Sequence, residues 1–137
     1  MKPIQRHFAK RDEGATAVEF ALVAPVLVAL TMSIIEFGLI IFTYTTAGSA
    51  SRDVARRIAT GRIAASAAST TLTPQLPAWV RSYATVAVAQ TTPSTPSTNI
   101  ITVNVSFPAL RATPTSFLSF AYGSLTLQTA TTMQQES

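Results

Sequence analysis

The amino-acid sequence predicts an α+β fold: a long N-terminal helix, its first half suited to a membrane, packed on a small antiparallel β-sheet of about three strands. Three observations predict it. An apolar run begins near residue 15, small apolar residues continue beyond it at helical spacing, and three segments after residue 82 resemble strands. A chain of 137 residues without cysteine can build one small core and has no disulfide framework.

The apolar run is long enough to cross a membrane as a helix. Residues 20–35 carry no charge, and after Glu36 the run continues to Phe42. About 23 helical residues rise about 34 Å, whereas the hydrocarbon core of a bilayer is roughly 30 Å thick. A cleavable secretory signal peptide would have about 7–15 apolar residues and would end at a small-residue site. We therefore expect three regions: a polar, basic segment at 1–14, a transmembrane helix at 15–47, and a helix extension with a β-sheet domain at 48–137.

Beyond the transmembrane segment, the helix is predicted to continue as an amphipathic helix to about Ala68. Its apolar side chains recur at helical spacing, at Ala50, Val54, Ala55, Ile58, Ala59 and Ile63. Asp53 precedes Arg57 by four residues, which is the favourable order for an ion pair on a helix. Gly61 weakens a helix by about 1 kcal/mol relative to alanine, so we expect the end of this helix to fray.

Strand signals occupy the C-terminal part of the chain. Asn99–Phe107 alternates most clearly, with four apolar residues on one face: Ile101, Val103, Val105 and Phe107. Tyr83–Gln90 is rich in Val, Thr and Ala, and Leu125–Met133 alternates more weakly. In the last segment three residues are expected to face inward: Leu125, Leu127 and Met133. The polar link 91–98 contains two prolines and is typical of a hairpin loop, and Ala78–Ser82 is predicted to form a short helix.

Residues suited to catalysis or metal binding are scarce. His7 is the sole histidine, and beyond residue 62 the sequence contains neither an acid pair nor a metal-ligand cluster. The many Ser and Thr hydroxyls have no accompanying base that would make one of them a nucleophile. We therefore expect no enzymatic activity, no metal site, no cofactor and no small-molecule substrate.

Four arginines cluster after the apolar run, at Arg52, Arg56, Arg57 and Arg62. No aromatic residue lies between them and no groove-reading motif is present, which argues against nucleic-acid binding. Contact with membrane phosphates, or a solvated face, fits these side chains better. Because basic residues also precede the apolar run, the charge bias does not set the orientation of the span.

A processing signature lies where the basic segment meets the apolar run. Gly14 ends the basic segment, and Glu19 is the fifth residue after it, next to apolar side chains. A charge costs about 2.5–3.5 kcal/mol at the centre of a bilayer, so an acid this near the apolar run indicates a function. Cleavage after Gly14 would create an α-ammonium group on Ala15, four residues before Glu19 on the same helical face. The alternative is that Glu19 marks the membrane boundary, where headgroups solvate it.

The neighbours of this signature resemble the TadE-like family. The resemblance rests on residues 13–24 (Glu-Gly-Ala-Thr-Ala-Val-Glu-Phe-Ala-Leu-Val-Ala), on Pro25, and on residues 35–38 (Ile-Glu-Phe-Gly). Further segments that resemble the family lie at 51–56, at 59–61, at 101–108, and in a last strand that closes on Met133 near Glu136.

This resemblance implies a pilin-like fold and a role as a minor pilin or pseudopilin of the tight-adherence (Flp, type IVb) pilus. It implies a cytoplasmic leader that ends at Gly14 and is cut by a prepilin peptidase, with Ala15 as the mature N-terminus and Glu19 as the position-five acid. The implied location is the bacterial inner membrane, with one span and an extracytoplasmic C-terminal domain, or the pilus itself. The implied partners are other pilin or pseudopilin subunits, the peptidase, the inner-membrane pilus assembly machinery and membrane lipid. A single-span envelope scaffold or sensor that does not polymerise is the alternative function.

Two residues inside the helix are further candidates for assembly contacts. Pro25 has no N–H and can kink the helix; because prolines are tolerated in membrane helices, a simple local bend is the favoured interpretation. Glu36 lies about 25 Å beyond Glu19, near the far membrane interface. It would contact either a polar group of a partner or the headgroups.

An aromatic segment, residues 117–122 (Phe-Leu-Ser-Phe-Ala-Tyr), precedes the last predicted strand. Loops of a small domain are mostly polar, and an exposed apolar cluster usually marks a contact surface. We therefore expect part of this segment, with Phe117, Phe120 and Tyr122 as candidates, to dock on another pilin-like subunit or on the membrane face. The alternative is that the segment folds back and caps the core beside Phe107.

Overall fold

The computed structural model describes residues 6–136, with side chains described from Gly14 onwards. Its helices are α1 (Arg6–Ala59), α2 (Ala68–Leu72) and α3 (Ser119–Tyr122), and its strands are β1 (Thr85–Gln90), β2 (Ile100–Pro108) and β3 (Thr126–Gln134). The contacts divide the chain after Ile35 into two compact units. The predicted α+β class, with a long apolar helix and a three-stranded antiparallel sheet, is confirmed. Of the predicted leader, residues 1–5 lie outside the described residues, and of residues 6–13 only the helical backbone is described.

The first unit, as far as its side chains are described, is the part of α1 from Gly14 to Ile35. Its large apolar side chains are exposed, among them Val18, Phe20, Leu22, Val23, Val26, Leu27, Val28, Leu30 and Ile34. Two hydroxyls are satisfied within the helix, because Thr31 Oγ1 donates to the Leu27 carbonyl and Ser33 Oγ to the Ala29 carbonyl, each at 2.8 Å. By length and composition, α1 contains a segment that could cross a membrane.

The second unit is built on a sheet with the order β1-β2-β3, in which both neighbouring pairs are antiparallel. The central strand β2 buries the predicted face: Ile101, Val103, Val105 and Phe107. These residues share one core with small and β-branched residues of α1 and with apolar residues of the connection to β1: Ala47, Ala50, Val54, Ile58, Leu72, Leu76 and Val80. The link 91–98 joins β1 to β2 as a hairpin, as predicted.

The helix α1 ends at Ala59, well before the predicted end near Ala68. The reason is Gly61, which adopts φ +68° and therefore cannot continue a right-handed helix. The Arg62 N–H bonds to the Arg57 carbonyl at 2.8 Å, and the Gly61 N–H bonds to the Ile58 carbonyl at 3.0 Å. This is the Schellman arrangement, so Gly61 ends the helix with a defined cap and the predicted end near Ala68 is wrong.

Two shorter predictions are also wrong. Ala78–Ser82 forms successive turns and no helix. The Val80 N–H bonds to the Pro77 carbonyl, which lies three residues earlier, at 3.1 Å. Leu125 is 55 % exposed and does not face the core, because it precedes β3 and its N–H closes a turn onto the Tyr122 carbonyl. Leu127 and Met133 do pack against the core as predicted.

Candidate functional site

The predicted processing residues lie on consecutive turns of α1. Gly14, Ala15 and Glu19 are all exposed, and Ala15 and Glu19 are one helical turn apart. A Cβ atom built on Gly14 would meet nothing within 4 Å, so packing in the described structure does not require glycine there. Glycine does lower the stability of a helix, by about 1 kcal/mol relative to alanine, and this makes it easier for the backbone to extend into a peptidase. Processing at this position stays a prediction.

Pro25 lies inside α1, and the helix continues through it. Proline has no N–H to donate to the Ala21 carbonyl, so this turn is held by fewer backbone bonds than its neighbours. The side chains around it are apolar and exposed, including Leu22 at 72 % and Val26 at 66 %. This surface is available to lipid or to another apolar helix, and an assembly role for Pro25 stays a prediction.

Glu36 has an environment that the sequence analysis did not anticipate. Its side chain is 1 % exposed, and its carboxylate is bonded by the chain that follows β2. The Leu118 N–H donates to Oε2 at 2.8 Å, and the Thr113 hydroxyl lies 3.2 Å from Oε1. We expected this carboxylate to contact a partner or the headgroups, but within the described structure it holds the connection between β2 and β3 against α1.

A second polar contact holds the same connection about two turns further along α1. Thr43 is fully buried, and its hydroxyl donates to the Ala112 carbonyl at 2.7 Å. The indole Nε1 of Trp79 donates to the same carbonyl at 3.0 Å. Sequence reasoning missed Thr43, Thr113 and Trp79. A signal was present, because the buried positions of α1 recur alternately at four and three residues, at Glu36, Ile40, Thr43, Ala47, Ala50 and Val54.

Small residues let α1 approach the sheet closely. A Cβ atom built on the buried Gly48 would lie 3.4 Å from Thr129 Oγ1 of β3. One turn further, the hydroxyls of Ser51 and Thr131 are 2.8 Å apart and share a hydrogen bond. The inward face of β3 is therefore partly polar, and it meets a helix face that supplies hydroxyl partners for it.

The aromatic segment 117–122 divides into exposed and packed residues. Phe120 is 82 % exposed and Phe117 is 46 % exposed, whereas Tyr122 packs against the core cluster. The Tyr122 hydroxyl is buried without a hydrogen-bond partner among the described residues. Its burial, and to a smaller extent the charge of Glu36, raises the pKa of Tyr122. The alternative, in which the aromatic segment folds back and caps the core, therefore holds for Tyr122. Docking through Phe117 and Phe120 stays a prediction.

The arginine cluster lies on the exposed side of α1 and just beyond its end. Arg52, Arg56, Arg57 and Arg62 are all exposed. The predicted ion pair is present, with Arg57 Nε 3.0 Å from Asp53 Oδ2. The hydrogen bond from Arg57 is the main reason why the pKa of Asp53 is lowered, and a bond from Gln75 acts in the same direction. The other arginines leave a solvated basic face.

Comparison with known proteins adds one match. Residues 14–56 match the family model described as TadE-like protein. The matched residues include Gly14, Glu19, Pro25 and Glu36, so the resemblance predicted from the sequence is confirmed over this range. The resembling segments beyond residue 56 lie outside the match. No curated protein and no solved structure matches the chain.

Proposed function

Starting from the TadE-like match over residues 14–56, we propose that the chain is a minor pilin or pseudopilin that takes part in assembling a tight-adherence (Flp-type) pilus. The observation that carries the proposal is the position of Glu19. It is the single carboxylate on an otherwise uncharged, exposed apolar helix surface that runs from Gly14 to Ile35. The long apolar helix and the structural character of the matched family support a pilus-related membrane protein rather than an enzyme.

The mechanism begins with cleavage. A prepilin peptidase hydrolyses the bond between Gly14 and Ala15, which leaves an α-ammonium group on Ala15. Glu19 lies one turn away on the same face, so its carboxylate can pair with this ammonium group or with that of a neighbouring subunit. In a medium of low dielectric constant an unpaired charge is strongly penalised, so the pair selects one register between helices.

Assembly then uses the apolar surface of the helix. Before assembly, lipid covers the exposed side chains of residues 14–35, in the bacterial inner membrane. During assembly, neighbouring helices replace the lipid, and van der Waals packing together with the Glu19 pair supplies the specificity. The second unit, with its sheet and hydroxyl-rich strands, would lie on the extracytoplasmic side.

Mass measurement of the membrane-bound protein tests this proposal. When the chain is co-expressed with an active prepilin peptidase, the mature protein should begin at Ala15, and Gly14→Leu should stay full-length in the membrane. Gly38→Leu is the matched control, because Gly38 is also an exposed helical glycine with open space around it. This variant should be cleaved normally. A wild-type chain that keeps residues 1–14 beside an active peptidase would contradict the proposal and favour an anchored envelope protein that does not polymerise.

A further inference from the structure

An uncharged and partly exposed apolar surface lies next to Glu36. From Ala112 to Gln135 the sequence contains no charged residue. Within this stretch, Phe120 has the largest exposed fraction of any large apolar side chain that the structure describes, 82 %. Phe117 is 46 % exposed on the preceding turn. Two exposed phenylalanines this close together do not stabilise a soluble domain, so they indicate a contact surface.

The carboxylate of Glu36 fixes the position of this surface along α1. The 2.8 Å bond from the Leu118 N–H to Glu36 Oε2 joins the residue after Phe117 to the first charged position beyond the uncharged run 20–35. If that run lies in the hydrocarbon core, Glu36 lies at its boundary, and so does the backbone of Leu118. Phenylalanine and leucine are typical of the apolar faces that segments at this depth insert between the headgroups and the acyl chains.

We propose that Phe117 and Phe120 make a second, shallow contact with the lipid bilayer, and that Glu36 is the positioning residue that holds them at the membrane surface. The bilayer is favoured over a protein partner because Leu118, which lies between the two phenylalanines in the chain, is bonded to Glu36, the first charged residue after the uncharged run 20–35. The surrounding sequence also lacks the charged residues that would give a protein interface its specificity. The contact requires that α1 span the membrane, and it goes beyond the proposed pilin function because it requires neither cleavage nor polymerisation.

The sheet supplies an internal reference for a depth measurement. The connection after β2 follows Pro108, whereas the hairpin loop 91–98 precedes Ile100 at the other end of the same strand. A strand of 9 residues is about 30 Å long, so the two loops lie at opposite ends of the sheet. Because the chain contains no cysteine, a single introduced cysteine can be labelled at either place.

The experiment is spin-label depth measurement on the full chain in vesicles of phosphatidylethanolamine and phosphatidylglycerol. Ala121→Cys carries the label beside both phenylalanines, and Thr95→Cys carries it on the hairpin loop; both positions are exposed. The ratio of accessibility to oxygen over accessibility to a water-soluble nickel chelate should be severalfold higher at residue 121. Replacing Phe117 and Phe120 with serine in the Ala121→Cys chain should lower that ratio to the value at residue 95, without a change in melting temperature.

The positioning role of Glu36 is tested in the same labelled chain. Glu36→Leu removes the acceptor for the Leu118 N–H and should abolish the oxygen preference at residue 121. Glu36→Gln keeps a carbonyl acceptor and should retain it. Thr43→Val also loses a buried bond to the connection after β2, but at Ala112, and it should leave the label in place. If Thr43→Val displaces the label as much as Glu36→Leu, Glu36 does not have the positioning role.

Two results would overturn the lipid contact. Equal accessibility ratios at residues 121 and 95 would place the phenylalanines in water. A label at residue 121 that is shielded from both reagents would place the segment against protein, as in docking to another subunit. Neither result depends on processing at Gly14, so failure of this inference is distinguishable from failure of the proposed function.

Discussion

Replacing Glu36 with leucine tests whether its carboxylate stabilises the second unit. The substitution places an apolar side chain of similar size at a site that is 1 % exposed, and it removes both oxygen acceptors. The Thr113 hydroxyl can still donate to the Thr115 carbonyl, which is already within its reach. The Leu118 N–H has no alternative acceptor among its described contacts, so the lost energy comes mainly from this one group.

The expected loss of stability follows from that bond. A hydrogen bond to a charged group contributes about 1.5–3 kcal/mol, and a buried donor left without a partner costs about 1–3 kcal/mol. Removing the desolvated charge offsets part of this loss. We therefore expect Glu36→Leu to lower the free energy of unfolding by about 2 kcal/mol, which is about 8–16 °C in melting temperature for a unit of about 100 residues.

Glu36→Gln separates the acceptor from the charge. Its amide oxygen can accept from the Leu118 N–H, and its NH₂ group can donate to the Thr113 oxygen, so we expect a loss below about 1 kcal/mol. Thermal unfolding followed by circular dichroism in one detergent measures both variants beside the wild type. If Glu36→Leu melts with the wild type, the bond to Leu118 contributes nothing. If the glutamine variant melts as low as the leucine variant, the charge matters and the acceptor geometry does not.

The remaining predictions concern the two ends of α1. Glu19→Gln should still be cleaved after Gly14 but should reduce piliation, and Glu19→Asp should recover part of it; normal piliation with glutamine would instead make Glu19 a boundary marker. Gly61→Ala should lower the free energy of unfolding by about 1–2 kcal/mol, because Gly61 has φ +68°. Gly38→Ala is the contrasting variant: Gly38 lies inside α1 with open space around it, so alanine there should raise the free energy of unfolding by up to about 1 kcal/mol. The pKa of Asp53 is lowered from 3.8, so the ion pair with Arg57 contributes its full stabilisation above that pH. This stabilisation is lost as the pH falls through the pKa of Asp53 in the folded state. The difference in melting temperature between wild type and Asp53→Asn should therefore shrink towards zero in acid.

The strands and the long helix were predictable because the sequence patterns that indicate them are local. Alternation at Ile101, Val103 and Val105 requires one buried face whatever the rest of the chain does, and the structure buries that face. The Asp53–Arg57 pair follows from helical spacing alone. The end of α1 was also readable in principle, because a glycine after a run of helical apolar residues is typical of a helix C-cap, but we interpreted Gly61 only through its low helix propensity.

The contacts of Glu36 and Thr43 were not predictable in the same way. Their partners Leu118 and Ala112 are 82 and 69 residues away along the chain, and no local pattern joins them. The apolar run does not indicate the buried side either, because a helix that is apolar on all sides has no pattern that distinguishes the side that contacts protein. Glu36, Thr43 and Ser51 are the buried polar residues on that side, and only the helical spacing of Ala47 and Val54, beyond the run, indicates the buried face.

The buried face of α1 also bears on where the membrane segment ends. Residues 36–47, which we assigned to the transmembrane helix, belong to the second compact unit, where Ile40, Thr43 and Ala47 are buried. Residues 15–35 alone rise about 32 Å as a helix, which is sufficient for a hydrocarbon core of roughly 30 Å. A span that ends before Glu36 leaves the carboxylate at the boundary, bonded by Leu118 and Thr113 instead of by headgroups. Under the proposed lipid contact the same boundary also holds the exposed phenylalanines, so one buried glutamate would account both for the end of the proposed span and for the position of the aromatic segment.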